Sequence, residues 1–348
     1  MDVTTLVFFA LGFLLLTGGA DVLVRGSAEL AEHLGISRLI VGLTIVAFGT
    51  SAPELAVNLQ AAFLDKPELA LGNVVGSNIL NILLVLGVAA IIIPLTVHKR
   101  LIKLEIPMMI GVSFFLLFLS FDGMLTRWDG LLLSCGIVLY TIFAVKGARE
   151  EKDKDAKSDN SHLLKQIGLI LVGLFLLVLG SKWLVDGAIM MAHYFGISEL
   201  VIGLTIVSIG TSLPELATVI IGSLRGEKDL VIGNVVGSNL FNILLVLGFT
   251  SLISPLAVPQ TAIYFDMPVM IAVAMLCLPI LFSGYIIDRW EGGLFLAYYV
   301  AYTLYLFLNA TQHVWLSNYT TLMIWFVIPL TILILTISII WQKPTETK

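Results

Sequence analysis

One segment of this chain occurs twice, and the copies are separated by an odd number of apolar stretches. Gly35–Gly87 aligns without a gap on Gly196–Gly248, 161 positions later, with about 31 of 53 residues identical. GLTIVAFGTSAPELA at Gly42–Ala56 meets GLTIVSIGTSLPELA at Gly203–Ala217, and GNVVGSNILNILLVLG at Gly72–Gly87 meets GNVVGSNLFNILLVLG at Gly233–Gly248. The likeness continues outward. Glu105-Ile106-Pro107 matches Asp266-Met267-Pro268, and RWDG at Arg127–Gly130 matches RWEG at Arg289–Gly292.

Composition says where such a duplicated chain lives. It is 58% hydrophobic and 12% charged over 348 residues, with a mean hydropathy of +1.02. Soluble domains carry about 25% charged residues, so that class is excluded, and a disordered chain would lack this apolar content. A net charge of −5 with no basic stripe argues against nucleic-acid binding. Apolar stretches fall near 3–24, 36–63, 69–94, 104–121, 129–147, 163–185, 197–224, 230–254, 263–283, 291–309 and 319–341. Each is long enough to read as a transmembrane helix at about 20 residues per span. The first lacks the cationic leader of a cleaved signal and is read as a retained span.

The expected architecture is therefore an all-α polytopic membrane protein. Two inverted five-helix repeats make ten spans, and one extra C-terminal helix at 319–341 stands outside them. The first repeat covers 1–147, a cytoplasmic linker 148–162, the second repeat 163–310, and the added helix and tail 311–348. Of the 19 Lys and Arg, only Lys66, Arg127 and Lys182 fall outside if the N-terminus is outside, which predicts N-out, C-in. Five spans per repeat is odd, so the second copy enters from the opposite side. The charges agree: Arg25 and Arg38 of the first copy are replaced by Asp186 and Glu199 in the second. Inverted repeats favour transporters that open one central site alternately to either face. Cys135 and Cys277 lie in apolar runs and read as small buried hydrophobes, and the five histidines are scattered singly.

The polar residues inside the spans carry the chemistry. Glu54 and Glu215 sit near mid-span in GTS-x-PE motifs, with no cationic partner in either span. Each charge costs about 2.5–3.5 kcal/mol at the bilayer centre unless compensated. Pro53 and Pro214 lack N–H groups and free a backbone carbonyl just before each glutamate. The next helix of each copy adds Ser77, Asn78 and Asn81, or Ser238, Asn239 and Asn242; Ser77 and Asn81 share a face, whereas Asn78 lies one residue off it. Carboxylates, amides, hydroxyls and carbonyls, without sulfur or imidazole, suit a hard cation such as Ca²⁺. Glu68, Glu105, Asp229 and Asp266 lie near helix starts and read as dipole partners. Gly72 and Gly233 open G-x-x-x-G patterns that serve either helix packing or the site.

GTS-x-PE followed by GN-x-x-GSN-x-x-N, twice and in opposite orientation, resembles the alpha repeats of the cation/calcium antiporter superfamily, in particular its sodium/calcium exchanger branch. The resemblance implies that Ca²⁺ and Na⁺ compete for Glu54 and Glu215. It implies backbone oxygens from Thr50 and Thr211, flanking Na⁺ sites at Ser51, Ser77, Ser212 and Ser238 with carbonyls of Ala47 and Ser208, and Asn81 and Asn242 lining the middle. The GNA-x-E type motif of the proton-coupled branch is absent, which tilts coupling toward Na⁺. Several relatives, including potassium-dependent ones, carry Asp at the position of Asn242; Asn here implies K⁺ independence. The expected function is Ca²⁺ extrusion driven by Na⁺ entry in a prokaryotic cell membrane, with no cofactor and no obligatory protein partner. A cation/proton antiporter remains the alternative and a cation channel a distant one. No nucleophile–base pair supports an enzyme.

Overall fold

The computed structural model describes residues 3–150, 160–194, 208–278 and 285–329 and is almost entirely helical. In chain order the helices are α1 (Val3–Leu34), α2 (Arg38–Thr50), α3 (Ala52–Phe63), α4 (Pro67–Ile92), α5 (Leu101–Leu119), α6 (Arg127–Glu150) and α7 (Asn160–Tyr194). After a helical turn at Ser208–Gly210 come α8 (Leu213–Leu224), α9 (Lys228–Ile253), α10 (Ala262–Met275), α11 (Arg289–Ala310) and α12 (Leu316–Leu322), which runs on as a π-helix over Met323–Val327. Seven described helices are long and apolar enough to cross a membrane, or eight when α2 and α3 count as one span bent by 40°. α8 and α10 are apolar but shorter. The expected stretches 197–207, 279–283 and 330–341 and most of the linker lie outside the described residues. At the linker's two ends the chain is still helical, through Glu150 and again from Asn160.

Helices α4 and α9, the repeat-matched pair, form the centre. Their apolar windows are 72% and 94% buried, against 28% for α6 and α7. A helix apolar on all sides belongs in such a core, whereas α6 and α7 turn large side chains such as Leu139 and Leu171 outward. Cys277 is buried, as expected. Cys135 departs from that expectation: it lies on the exposed side of α6.

Small residues bring the two copies together. A Cβ on Gly12 would meet the Gly180 carbonyl at 2.9 Å, and one on Gly19 would meet the Gly173 carbonyl at 2.9 Å. Rising numbers in α1 thus face falling numbers in α7, so these repeat-matched helices pack antiparallel. Gly42 meets Gly233, Gly87 meets Gly292 and Gly130 meets Gly248 in the same backbone-to-backbone manner. Lipid supplies no hydrophobic drive for helix association, so such close van der Waals contact carries it. The G-x-x-x-G of α9 is therefore a packing element; a Cβ on Gly72 would meet no other described residue within 4 Å.

Short ribbons and caps repeat the exchange. Strand β1 (Leu95–Thr96) pairs antiparallel with β4 (Ile286–Ile287), and β2 (Met124–Leu125) with β3 (Leu256–Ala257). Arg289 donates to the last-turn carbonyl of Ile92, and Arg127 to that of Ile253. These arginines open the duplicated RW-x-G motifs, and each complements the negative C-terminal end of the other copy's core helix. Glu68 and Asp229 do sit in the first turns of α4 and α9. Glu105 differs from its expected dipole role. It closes a π-helical turn at Leu101–Glu105, fully buried, with the Arg100 guanidinium 3.5 Å away.

Candidate cation site

Two breaks in helical geometry position the site. α2 ends at Thr50, Ser51 leaves helical geometry with ψ near 4°, and α3 restarts with Pro53 in its first turn. Ser212 repeats this with ψ near 8°, ahead of Pro214 in α8. Each proline cannot donate to the carbonyl four residues back, that of Gly49 or Gly210. In the second copy the Ser181 hydroxyl of α7 takes over the Gly210 carbonyl at 2.8 Å. The first copy has Ala20 at the corresponding position. Glu54 and Glu215 follow in the first turns of α3 and α8, where the positive helix ends face a carboxylate.

Facing them, α4 and α9 carry matching π-helical segments that begin at Asn81 and Asn242. A π-turn inserts a residue and re-aims its side chain, and such turns occur frequently at functional sites. The structure brings together Glu54, Glu215, Thr50, Ser51, Ser77, Ser212, Ser238, Asn81 and Asn242, all at most 2% exposed. Thr211 is half-buried at the edge and Ala47 is buried in α2. The Ala47 carbonyl accepts the Ser51 N–H at 3.0 Å. Ser208 lies in the turn before α8; its side chain is outside the described set.

The site is knit across the copies. Ser212 donates from its hydroxyl to Glu54 Oε1 at 3.1 Å and lies 3.2 Å from the Ser77 hydroxyl. Thr50 donates to Asn234 Oδ1 at 3.2 Å, and Thr211 donates to Asn73 Oδ1 at the same distance. Thr50 also lies 3.3 Å from the Ser238 hydroxyl. Asn81 donates to Asn239 Oδ1 at 3.2 Å, and Asn242 donates to Asn78 Oδ1 at 3.1 Å.

What remains is a set of buried oxygens with no donor. Glu54 Oε2, both Glu215 oxygens, Asn81 Oδ1, Asn242 Oδ1 and the Ser51 hydroxyl have no hydrogen-bond partner. The two carboxylates lie within electrostatic reach of each other, with Thr50 and Ser51 beside Glu215. No ion pair to either glutamate occurs among the described residues. Buried unpaired charges are costly, and a group of acceptors without donors is the arrangement a desolvated cation repays. Zinc or copper chemistry would call for sulfur or imidazole, which this constellation lacks.

Sequence reasoning named Asn78 and Asn239 without a supporting role and passed over Asn73, Asn234 and Asn58. Asn78, off the ligand face, and its counterpart Asn239 occupy the amide nitrogens of Asn242 and Asn81 and so leave their carbonyl oxygens free. Asn73 and Asn234 hold the two threonines. Asn58 in turn accepts a 2.7 Å bond from the Asn73 amide; the second copy has Val219 there. The signal for all but Asn58 was present, since each recurs in both GN-x-x-GSN motifs.

Comparison with known proteins identifies the family. The family profile described as sodium/calcium exchanger protein matches residues 4–146 and 165–308. The putative antiporter CaxA of Alkalimonas amylolytica is 42% identical, over 86% of this chain and 98% of that protein. The sodium/calcium exchanger MaX1 of Methanosarcina acetivorans is 31% identical, over 88% of this chain and 99% of that protein. Among solved structures, the sodium-calcium exchanger NCX_Mj soaked with 10 mM Na⁺ and zero Ca²⁺ superimposes with a TM-score of 0.78 at 34% identity, covering 86% of this chain and 98% of that one.

Proposed function

This chain belongs to the sodium/calcium exchanger family and is a multi-pass cell-membrane protein that exchanges cations including Ca²⁺, and we propose that it is a Na⁺/Ca²⁺ antiporter that expels Ca²⁺ as Na⁺ enters. The observation that carries this reading is the pair of fully buried glutamates, one per copy, with three of their four oxygens unpartnered. Either one Ca²⁺ or two Na⁺ neutralises the two charges. A third Na⁺ would leave the loaded site net positive.

In this reading Glu54 and Glu215 are ligands common to both ions. Asn81 and Asn242 line the middle with carbonyl oxygens. Thr50 and Thr211 add backbone oxygens for Ca²⁺. Ser51, Ser77, Ser212 and Ser238 complete flanking Na⁺ sites with the carbonyls of Ala47 and Ser208. An empty site leaves two carboxylates apposed in a low-dielectric interior, where their repulsion is poorly screened. The empty carrier therefore resists switching, and this resistance makes the cycle an exchange.

The proposed architecture is ten spans in two inverted repeats, 1–147 and 163–310, joined by a cytoplasmic linker at 148–162. Residues 311–348 add a further helix and tail, and the N-terminus lies outside. Antiparallel packing of α1 on α7 along paired glycines supports the inversion, and these two helices are the elements suited to slide across the core. The testing experiment is ⁴⁵Ca²⁺ uptake into proteoliposomes under separately imposed Na⁺, H⁺ and K⁺ gradients. Outward Na⁺ flow alone drives uptake on this account, whereas uptake driven only by H⁺ assigns the protein to proton-coupled exchange.

A further inference from the structure

Each glutamate of the cation site ends a relay of polar side chains, and the two relays differ at one residue. Thr211 bonds Asn73 and stands beside Glu54; Thr50, from the other copy, bonds Asn234 and stands beside Glu215. Asn58 continues the first relay beyond Asn73. In the second copy its position is held by Val219, which is fully buried and has no atom that accepts a hydrogen bond.

The first relay has one polarity. Asn58 donates from its amide nitrogen to the Ala70 carbonyl at 3.0 Å, an atom that can only accept. Asn58 Oδ1 therefore accepts from Asn73 Nδ2 at 2.7 Å, which leaves Asn73 Oδ1 to accept from the Thr211 hydroxyl at 3.2 Å. The Thr211 proton is thus directed away from Glu54, which takes the Ser212 proton instead.

The second relay lacks that anchor. Asn234 is fully buried, and its Nδ2 has no hydrogen-bond partner among the described residues. Asn234 Oδ1 faces the hydroxyls of Thr50 at 3.2 Å and Ser238 at 3.4 Å. A hydroxyl donates or accepts, so the amide can turn over and keep both contacts, its nitrogen now donating. The Thr50 proton is then released toward Glu215, whose two oxygens have no donor in the arrangement seen.

We propose that Asn234 is a positioning residue whose amide turns as Glu215 gains and loses its cation, a role that rests on the cation-site reading above. With the ion bound, the Asn234 carbonyl holds the Thr50 proton and Glu215 is left to the ion. With the ion gone, Asn234 donates to Thr50, Thr50 donates to Glu215, and the buried charge is partly compensated. An arriving cation displaces that bond, so the relay weakens binding and eases release. Asn58 denies the first copy this freedom.

The test is calorimetric titration of CaCl₂ into the full-length protein in nanodiscs and Na⁺-free buffer. Val219→Asn and the near-isosteric Val219→Thr each supply an acceptor that locks Asn234 as Asn58 locks Asn73. Both should bind Ca²⁺ about fivefold more tightly, the equivalent of one hydrogen bond. Their ⁴⁵Ca²⁺ uptake should show a lower KM together with a lower maximal rate, whereas a packing defect would raise KM. Val219→Ile, which adds no acceptor, should match the unmodified protein, and melting curves verify folding. Unchanged or weaker Ca²⁺ binding by the two acceptor variants, or an equal gain with Val219→Ile, overturns the proposal alone. Failure of the unmodified protein to bind Ca²⁺ overturns the site reading and the proposal with it.

Discussion

The Ser212 hydroxyl donates to Glu54 across the boundary between the two copies, while the mirror-related bond from Ser51 to Glu215 is not formed. Identical motifs therefore present unequal surroundings to their two carboxylates. Ser212→Ala should destabilise the protein in Na⁺- and Ca²⁺-free buffer by about 1–3 kcal/mol, the worth of a buried bond to a charged group. Ser51→Ala, which breaks no bond, should leave that stability nearly unchanged. Thermal unfolding of the two variants in chelated buffer checks the difference.

A second expectation concerns the asparagines that aim other asparagines. Asn78 and Asn239 engage the amide nitrogens of Asn242 and Asn81, which fixes those two side chains and leaves their carbonyl oxygens without a donor. Asn78→Ala or Asn239→Ala should loosen that orientation at a cost of about 1 kcal/mol, or roughly fivefold in apparent Ca²⁺ affinity. The concentration dependence of ⁴⁵Ca²⁺ uptake reads this directly; unchanged affinity in both variants would remove the two residues from the account.

Close helix packing yields a third. A Cβ at Gly233 would sit 2.6 Å from the Leu39 carbonyl, inside any real contact. Gly233→Ala should therefore cost about 1–3 kcal/mol of stability. Gly168→Ala, where nothing among the described residues lies within 4 Å, should be neutral or slightly stabilising because alanine is the better helix former. Melting temperatures in one detergent compare them.

Both copies' motifs were legible in the sequence because repetition marks them: the GTS-x-PE breaks, the two glutamates and the site's hydroxyls and amides all recur at one spacing. The partners that other helices bring to them were not. Asn73 beside Thr211 and Ser181 beside the Gly210 carbonyl arise from how helices distant in sequence lie against each other, and helical periodicity carries no information on that. Cys135 illustrates the same limit, since an apolar run does not say which face meets lipid. Glu105 was placed at a helix start by its position, and only the fold reveals that Arg100 reaches it.

That pair gives a fourth expectation. Glu105 is fully buried and Arg100 mostly so, and removing one member of a buried pair typically costs about 3–5 kcal/mol because the other charge is stranded. Arg100→Gln should show such a loss in thermal unfolding, and the double variant with Glu105→Gln should recover most of it.

The central claim is that Glu54 and Glu215 together form the site for which Na⁺ and Ca²⁺ compete. Its most direct measurement is ⁴⁵Ca²⁺ uptake into Na⁺-loaded proteoliposomes, with the pH gradient collapsed, for the unmodified protein, Glu54→Gln and Glu215→Gln. The account predicts robust uptake by the first and none above background by either variant, with folding verified by their melting curves. Undiminished uptake in both variants would contradict it.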